Sequence, residues 1–325
     1  MLKLENLKVG FFDEEGNENI AVNEISYEIA NGEIVGIVGE SGCGKSVSSL
    51  AMVELLASNA HISSGIVTVD DISVDLSCEE AKELRGNKIS MVFQEPMTSL
   101  NPVMTVGKQI SEAYKRHHQC TKEEAKKAAL EIMKQVGLSR VEKLYGEYPH
   151  QLSGGMRQRI IIAIALINKP TVIIADEPTT ALDATIQAQI MDLLVKLNEE
   201  TGTSIIFVSH NLGVVKDLCS RIIVMYAGYI VEEATTEELF KNPKHPYTKG
   251  LLNSIQKSSS KGKPLDIIPG MVSSIYNRDH DKCCFIDRCQ IKNDVCDSTK
   301  PQLIDYGSYK VRCMLYSEEN PWNNK

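Results

Sequence analysis

The chain has 325 residues, of which 42% are hydrophobic and 24% charged, and its formal net charge is −8. This length suits one large domain with an appendage, and scattered lysine and arginine without a basic stripe argue against nucleic acid as the main partner. The longest apolar run, residues 160–167, is far shorter than the roughly 20 residues that span a bilayer. The first five residues lack the layout of a signal peptide. We therefore expect a cytosolic protein, for which any membrane role depends on partner subunits.

The predicted elements begin with two strands, residues 3–11 and 21–29, which we interpret as an antiparallel part over residues 1–30. Helical patterns follow at 45–56 and 186–200. Between and around them lie short β-branched runs typical of strands buried on both faces, at residues 34–38, 89–93, 171–175, 204–208 and 221–225. This alternation predicts a parallel α/β sheet.

A mostly helical stretch interrupts the alternation between residues 106 and 148, most clearly at 122–136. We therefore expect a helical subdomain, at about residues 95–155, inserted in the core. The polar run at 258–263 predicts a linker. The sequence thus predicts one large domain at 1–252, followed by a linker and a cysteine-rich extension at 253–325.

A glycine-rich loop follows the strand predicted at 34–38 and fits the pattern G-x-x-x-x-G-K-[ST]. Glycines allow the loop to turn its N–H groups inward, and these groups and the next helix N-terminus surround a phosphate. Lys45 is expected to reach the β- and γ-phosphates, and the Ser46 hydroxyl to bind Mg²⁺. The predicted phosphate-binding residues are Gly39, Glu40, Ser41, Gly42, Cys43, Gly44, Lys45 and Ser46.

Two acidic residues and a histidine follow other predicted strands. Asp176 and Glu177 come directly after the strand at 171–175, and His210 closes the strand at 204–208. The carboxyl ends of parallel strands meet at the edge that holds the phosphate loop. We expect Asp176 to hold Mg²⁺, Glu177 to polarise the attacking water as general base, and His210 to donate a hydrogen bond to the γ-phosphate.

A further motif narrows the class of ATPase. Leu152, Ser153, Gly154, Gly155 and Met156 precede a helical pattern, and this run resembles the signature sequence of ABC ATPases. The resemblance extends to the Q-loop glutamine, Gln94, and to the D-loop, Ala181, Leu182 and Asp183. It implies that Gln94 contacts Mg²⁺ and water, and that an aromatic residue stacks on adenine. Phe11 is the best match for that residue and Phe12 is the alternative, because the register is ambiguous.

Membership of the ABC family implies a RecA-like parallel core and a head-to-tail dimer of ATPase domains, in which the signature of one subunit covers ATP on the P-loop of the other. Closure on two ATP molecules and reopening after hydrolysis form a two-state switch. Residues 93–102, 148–151, 155–159 and 245–248 look most like the D-type ATPase of oligopeptide and dipeptide importers, which shares Met156.

That resemblance implies a peripheral subunit on the cytoplasmic face of the membrane. Its implied partners are two permease subunits, a paralogous ATPase and an extracytoplasmic peptide-binding protein. A second copy of the chain is the alternative to the paralogue. Nickel importers share this architecture, and a soluble ABC ATPase of DNA repair or translation is a further alternative.

Five of the nine cysteines lie in the last 43 residues, and such clustering in a reducing compartment favours metal over disulfides. The stretch resembles a C-terminal motif of the same importer family, in which some members bind a [4Fe–4S] cluster. By that resemblance the ligands are Cys283, Cys289, Cys296 and Cys313, and Cys284 is a bystander. Four thiolates also suit Zn²⁺, although zinc sites usually pair ligands more closely than these five, six and sixteen intervening residues allow. Zinc, or no metal at all, remains an alternative.

Overall fold

Two sheets organise the part of the chain that the computed structural model describes, residues 1–94, 99–180, 182–254 and 268–317. The two strands predicted near the N-terminus pair with each other, Leu4 lying opposite Tyr27. Two strands that the sequence analysis did not predict complete this antiparallel sheet. In the order β2-β1-β4-β5, it contains β1 (Leu2–Phe12), β2 (Glu18–Ile29), β4 (Ala60–Val69) and β5 (Ile72–Asp75).

The larger sheet has a parallel centre with antiparallel strands at one side. Its five central strands are all β-branched-rich runs that the sequence predicted, and their residues are almost all buried, as is typical of a parallel sheet. The order is β11-β12-β10-β9-β3-β8-β7-β6. These strands are β3 (Ile34–Val38), β6 (Ile89–Val92), β7 (Val172–Asp176), β8 (Ser204–Ser209), β9 (Arg221–Tyr226), β10 (Tyr229–Thr235), β11 (Ile304–Asp305) and β12 (Tyr309–Val311).

Parallel pairing of β3 with β8 and β9, and of β7 with β6 and β8, aligns the carboxyl ends of these strands along one edge. Val38 lies opposite Ser209, and Asp176 lies opposite Val208. The segments that follow β3, β7 and β8 therefore leave the sheet at the same place. This register positions the phosphate loop, the acidic pair and the strand-end histidine together.

Helices occur in three groups along the described chain. Those of the α/β alternation are α1 (Lys45–Met52), α6 (Ala184–Thr201) and α7 (Leu212–Leu218). The stretch between β6 and β7 is helical as predicted, with α2 (Val106–His117), α3 (Lys122–Gln135), α4 (Val141–Leu144) and α5 (Gly154–Leu166). After β10 come α8 (Thr236–Lys241), α9 (Pro246–Asn253) and α10 (Asp294–Ser298).

Local chemistry explains two of the helix ends. At the start of α3, Thr121 Oγ1 accepts a hydrogen bond from Glu124 N (3.2 Å), and the Glu124 carboxylate accepts one from Thr121 N (2.7 Å). This reciprocal capping satisfies two backbone N–H groups. The second case is the C-terminal end of α1, which lies at Met52 rather than at residue 56 as predicted. Glu54 adopts a positive φ of 49°, which a continuing right-handed helix does not allow.

The C-terminal extension joins the main sheet, which the sequence did not predict. Strand β12 pairs with β10, Glu232 lying opposite Val311 and Ala234 opposite Tyr309. The extension therefore packs on the large domain, where it lies beside β10. The predicted linker at 258–263 lies outside the described residues.

Candidate active site

The glycine-rich loop leaves β3 and enters α1 as the sequence predicted. Gly39 has a φ of 156°, and a Cβ there would lie 2.3 Å from the carbonyl oxygen of Met225, so only glycine fits. The ammonium of Lys45 donates to the carbonyls of Gly39 (2.8 Å) and Glu40 (2.9 Å).

Two oxygen groups suited to Mg²⁺ meet beside this loop. The Ser46 hydroxyl at the start of α1 donates to Asp176 Oδ1 at 3.2 Å. Burial raises the pKa of Asp176, although the Ser46 hydrogen bond opposes this shift. A hydroxyl and a carboxylate are ligands that hard cations prefer, and a bound cation would favour the ionised form of Asp176. The residues present therefore fit a magnesium ion.

Glu177 stands at the centre of a hydrogen-bonded group. Its Oε2 accepts from Gln94 Nε2 (3.0 Å) and from Thr180 Oγ1 (3.1 Å), and its Oε1 lies 2.9 Å from His210 Nδ1. The backbone of Glu177 has a positive φ of 45°. Such strained conformations cost free energy and cluster at functional sites, where surrounding contacts fix them. Sequence reasoning missed Thr180, which carries no motif of its own.

One open cavity of about 580 Å³ is lined by the glycine-rich loop and by Gln94, Glu177 and His210, while Asp176 and Thr180 are not among its lining residues. Gln94, Glu177 and His210 face the glycine-rich loop across it, although the chain separates them widely. Neither Phe11 nor Phe12 is among its lining residues, and the Phe12 ring stacks on His61 at 4.4 Å between centroids. The cavity lining comprises Glu40, Ser41, Gly42, Cys43, Gly44, Lys45, Ser46, Val47, Gln94, Glu177 and His210.

The signature run is not part of that cavity. Ser153 is exposed and caps α5, its hydroxyl accepting from Met156 N at 3.3 Å. A Cβ on Gly155 would lie 3.0 Å from Ile186, so α5 and α6 approach closely there. Leu182 lies near Gly154, and Asp183 caps α6, so the signature and the D-loop pack together. Leu152 is buried, and Ala181 lies outside the described residues.

Three further residues contact the outer side of the glycine-rich loop, and sequence reasoning assigned none of them a role. Tyr247 Oη accepts from Glu40 N at 2.8 Å, Arg288 pairs with the Glu40 carboxylate, and Arg278 donates to the Gly42 carbonyl at 2.7 Å. Tyr247 and Arg288 lie in stretches that the resemblance singled out, but a sequence pattern does not reveal what their side chains touch.

The cysteines of the extension fall into two places. Cys283, Cys289, Cys296 and Cys313 line one small cavity, and burial raises the pKa of Cys283 to about 11 and that of Cys313 to about 12. Cys284 lines a different cavity, which Cys283 also borders. Among the described residues, no group of three or more histidine, cysteine or acidic side chains is arranged to hold a single metal ion.

Comparison with known proteins identifies two matching families. Residues 22–180 match the family described as ABC transporter, and residues 231–296 match the oligopeptide/dipeptide transporter C-terminal region. The oligopeptide transport ATP-binding protein AppD of Bacillus subtilis is 46% identical over 98% of both chains. The dipeptide transport ATP-binding protein DppD of Haemophilus influenzae is 45% identical over 99% of this chain and 98% of its own.

Comparison with solved structures finds the fold of an ATP-binding cassette. A dimeric ATP-binding cassette bound to ADP and Pi, in a post-hydrolysis state, superposes with a TM-score of 0.63 at 34% identity. The match covers 73% of this chain and 99% of that cassette. In the described part of the chain, no helix is long and apolar enough to cross a membrane.

Proposed function

Because this chain belongs to the ABC transporter ATP-binding proteins, we propose that it is the ATP-hydrolysing subunit that powers an importer of peptides. The main support for ATP hydrolysis is the position of the Glu177 carboxylate. Hydrogen bonds with Gln94, Thr180 and His210 hold it at the cavity of the phosphate loop. A carboxylate fixed in this way is suited to orient and deprotonate a water beside a phosphate.

We propose the following roles for the residues of the site and for the adenine-stacking aromatic. Residues 39–46 bind the phosphates, with Lys45 as their cation, and Ser46, Asp176 and Gln94 would hold Mg²⁺. Glu177 is the general base, and His210 donates to the γ-phosphate. Adenine stacks on Phe11 or, in the alternative register, on Phe12. We assign these roles to an ATPase domain at 1–252, with the helical subdomain at about 95–155 and the extension at 253–325.

The signature acts on ATP bound to a second ATPase subunit. Its absence from the lining of this chain's own cavity supports that role, as does the dimeric state of the similar cassette. We propose a paralogous ATPase as the partner, two permease subunits in the membrane and an extracytoplasmic peptide-binding protein. The subunit then sits peripherally at the cytoplasmic face.

Peptides are the proposed cargo because the similar proteins of two organisms are named for oligopeptide and dipeptide transport. The match to the oligopeptide/dipeptide transporter C-terminal region supports the same cargo. These relatives favour neither a nickel importer nor a soluble ATPase of DNA repair or translation.

Affinity purification tests the assembly. The tagged full-length chain is extracted from membranes in detergent, and its partners are identified by mass. We expect two permeases, a second ATPase and ATP hydrolysis by the complex that stops when Mg²⁺ is removed. Co-purification with ribosomes or DNA, and no membrane protein, would contradict the proposal.

We further propose that the extension carries a structural [4Fe–4S] cluster on Cys283, Cys289, Cys296 and Cys313. That all four line one cavity supports it. Zinc sites usually pair their ligands more closely in sequence than these cysteines are paired, with five, six and sixteen intervening residues, and this spacing favours the cluster over zinc. Such a cluster would cross-link the extension.

Anaerobic purification followed by iron and acid-labile sulfide assays tests the cluster. We expect both in the wild-type chain and in Cys284→Ser, and neither in Cys289→Ser. Stoichiometric zinc without sulfide would refute the cluster and support the alternative ion.

A further inference from the structure

The outward-facing side of the glycine-rich loop needs hydrogen-bond donors. When a loop turns its N–H groups towards a phosphate, its carbonyls face away and must find other partners. The Cys43 carbonyl accepts from Gly228 N (2.9 Å) in the turn between β9 and β10. The Gly42 carbonyl accepts from Arg278 Nη2 at 2.7 Å, and Arg278 Nη1 bridges to Ala21 O at 3.0 Å. The C-terminal extension therefore supplies part of the support behind this loop.

Arg288 makes the second contact from the extension. Its Nη1 donates to Glu40 Oε2 (2.5 Å) and its Nη2 to Glu40 Oε1 (3.1 Å), so the pair is bidentate. Arg288 Nε also donates to the carbonyl of Pro269 (2.8 Å), and Nη2 donates to that of Ile268 (3.3 Å). The Arg288 side chain is only 5% exposed, so the position of its guanidinium is fixed by four acceptors and by the packing around it.

Glu40 is itself part of the cavity lining. Its backbone N–H donates to Tyr247 Oη and its carbonyl accepts from Lys45. The residue is thus held by the extension through its side chain and by α9 through its backbone. A carboxylate at this place would repel the phosphates of a nucleotide unless a cation neutralised it, and Arg288 is the cation that does so.

We propose that Arg288 is a positioning residue for nucleotide binding, assisted by Arg278, and that the C-terminal extension thereby sets the affinity of the phosphate loop for ATP. Arg288 holds Glu40 in place and cancels its charge. Arg278 holds the loop carbonyl two residues further on. The inference rests on the proposed function only in taking this cavity as the nucleotide site.

Nucleotide titration of the full-length chain tests this role, with a fluorescent ATP analogue and Mg²⁺. Arg288→Gln leaves the Glu40 carboxylate uncompensated and is expected to raise Kd by about tenfold, as suits a charge at the edge of the site. Adding Glu40→Gln to that variant removes the repelling charge and should bring Kd back towards the wild-type value. Loss of packing alone does not predict such a rescue.

A kinetic measurement separates positioning from chemistry. In the complex purified from detergent-solubilised membranes, Arg288→Gln should raise KM for ATP by a similar factor and leave kcat nearly unchanged, because Glu177 and His210 are untouched. Equal Kd values for Arg288→Gln and the wild type would overturn the proposal, as would a double variant that binds no better than Arg288→Gln.

Arg312→Gln is the matched control. Arg312 lies in the same extension, and its guanidinium donates to the carbonyls of Ile230 (2.9 Å) and Pro301 (3.1 Å). Within the described part of the chain, Arg312 makes no hydrogen bond to residues 39–46. We expect this variant to lower the melting temperature and leave Kd unchanged. A rise in Kd as large as that of Arg288→Gln would show general loosening and overturn the specific role.

Arg288→Lys provides a second test if Arg288→Gln does not fold. Lysine keeps the charge but lacks the planar fork, so it cannot make both contacts to Glu40. We expect an increase in Kd of about threefold, smaller than that for glutamine, and a wild-type Kd would overturn the proposal. A failure of the proposed function gives a different result from a failure of this inference. In that case the wild-type chain would not bind nucleotide, or Lys45→Ala would bind it as tightly as the wild type.

Discussion

Replacing Glu177 with glutamine tests its proposed role as general base, because the change keeps the shape of the side chain. The amide oxygen can still accept from Gln94 (3.0 Å in the native chain) and Thr180 (3.1 Å). The amide nitrogen then faces His210 Nδ1, at the position where Oε1 lies 2.9 Å away. That contact survives if the His210 proton sits on Nε2. We therefore expect the local structure and the affinity for ATP to be preserved.

The rate of hydrolysis should fall steeply. An amide cannot take a proton from water, and lost general-base assistance corresponds to roughly 10²–10⁴-fold. This is about 3–5 kcal/mol of activation free energy, at about 1.4 kcal/mol for each factor of ten. Since binding persists while turnover stops, the complex should accumulate in its closed, ATP-bound state.

Phosphate release by the detergent-purified complex measures the rate, and fluorescent-nucleotide titration measures the affinity. Glu142→Gln is the matched control, because Glu142 is an exposed carboxylate at 3.6 Å from Lys134 in the helical region. We expect its rate to equal that of the wild type. Near-normal hydrolysis by Glu177→Gln would remove Glu177 from the role of general base.

Four other substitutions test the glycine-rich loop, a glycine outside the site and a buried thiol. Lys45→Ala removes the ammonium that phosphates require and should weaken nucleotide binding in a fluorescence titration, and an unchanged Kd would exclude Lys45 as a phosphate ligand. Gly39→Ala places a Cβ 2.3 Å from the Met225 carbonyl, so we expect lost nucleotide binding and a fall of about 1–3 kcal/mol in the free energy of unfolding. Gly202→Ala, at a φ of 70° with open space around it, should cost about 1 kcal/mol and leave binding intact. Cys219→Ala tests pH dependence, because burial raises the pKa of this thiol from 9.0 to about 12. Above pH 9 the unfolded chain loses a proton that the folded chain keeps, so stability falls as pH rises. Denaturant unfolding at pH 8 and pH 10 should show the wild type losing about 1.4 kcal/mol more than Cys219→Ala, and equal losses would contradict the argument.

Local pattern was sufficient for the central strands. The run at 34–38 is β3 without any shift, and the runs at 204–208 and 221–225 extend by one residue each. Short β-branched runs between glycine and polar residues have few alternatives to a buried strand. The predicted α/β core agrees with the ABC cassette fold of the similar solved structures.

Elements without such a pattern were missed. Strands β4 and β5 carry exposed Ile66 and Ile72 and polar residues between them, so their sequence does not resemble that of a buried strand. Strands β11 and β12 have only two and three residues. Strand β12 forms because the edge of β10 is available for pairing, and β11 then pairs with β12. No local property of residues 304–311 predicts this pairing.

The sequence by itself determined the glycine-rich loop, the acidic pair and the signature, because each is a contiguous run whose chemistry depends on neighbouring residues. Only the tertiary structure decided what those runs meet. Ser46 contacts Asp176 across 130 positions, and Arg288 pairs with Glu40 across 248. Contacts at such separations depend on how the sheet register and the C-terminal extension bring backbone segments together. The periodicity of neighbouring residues does not predict these contacts.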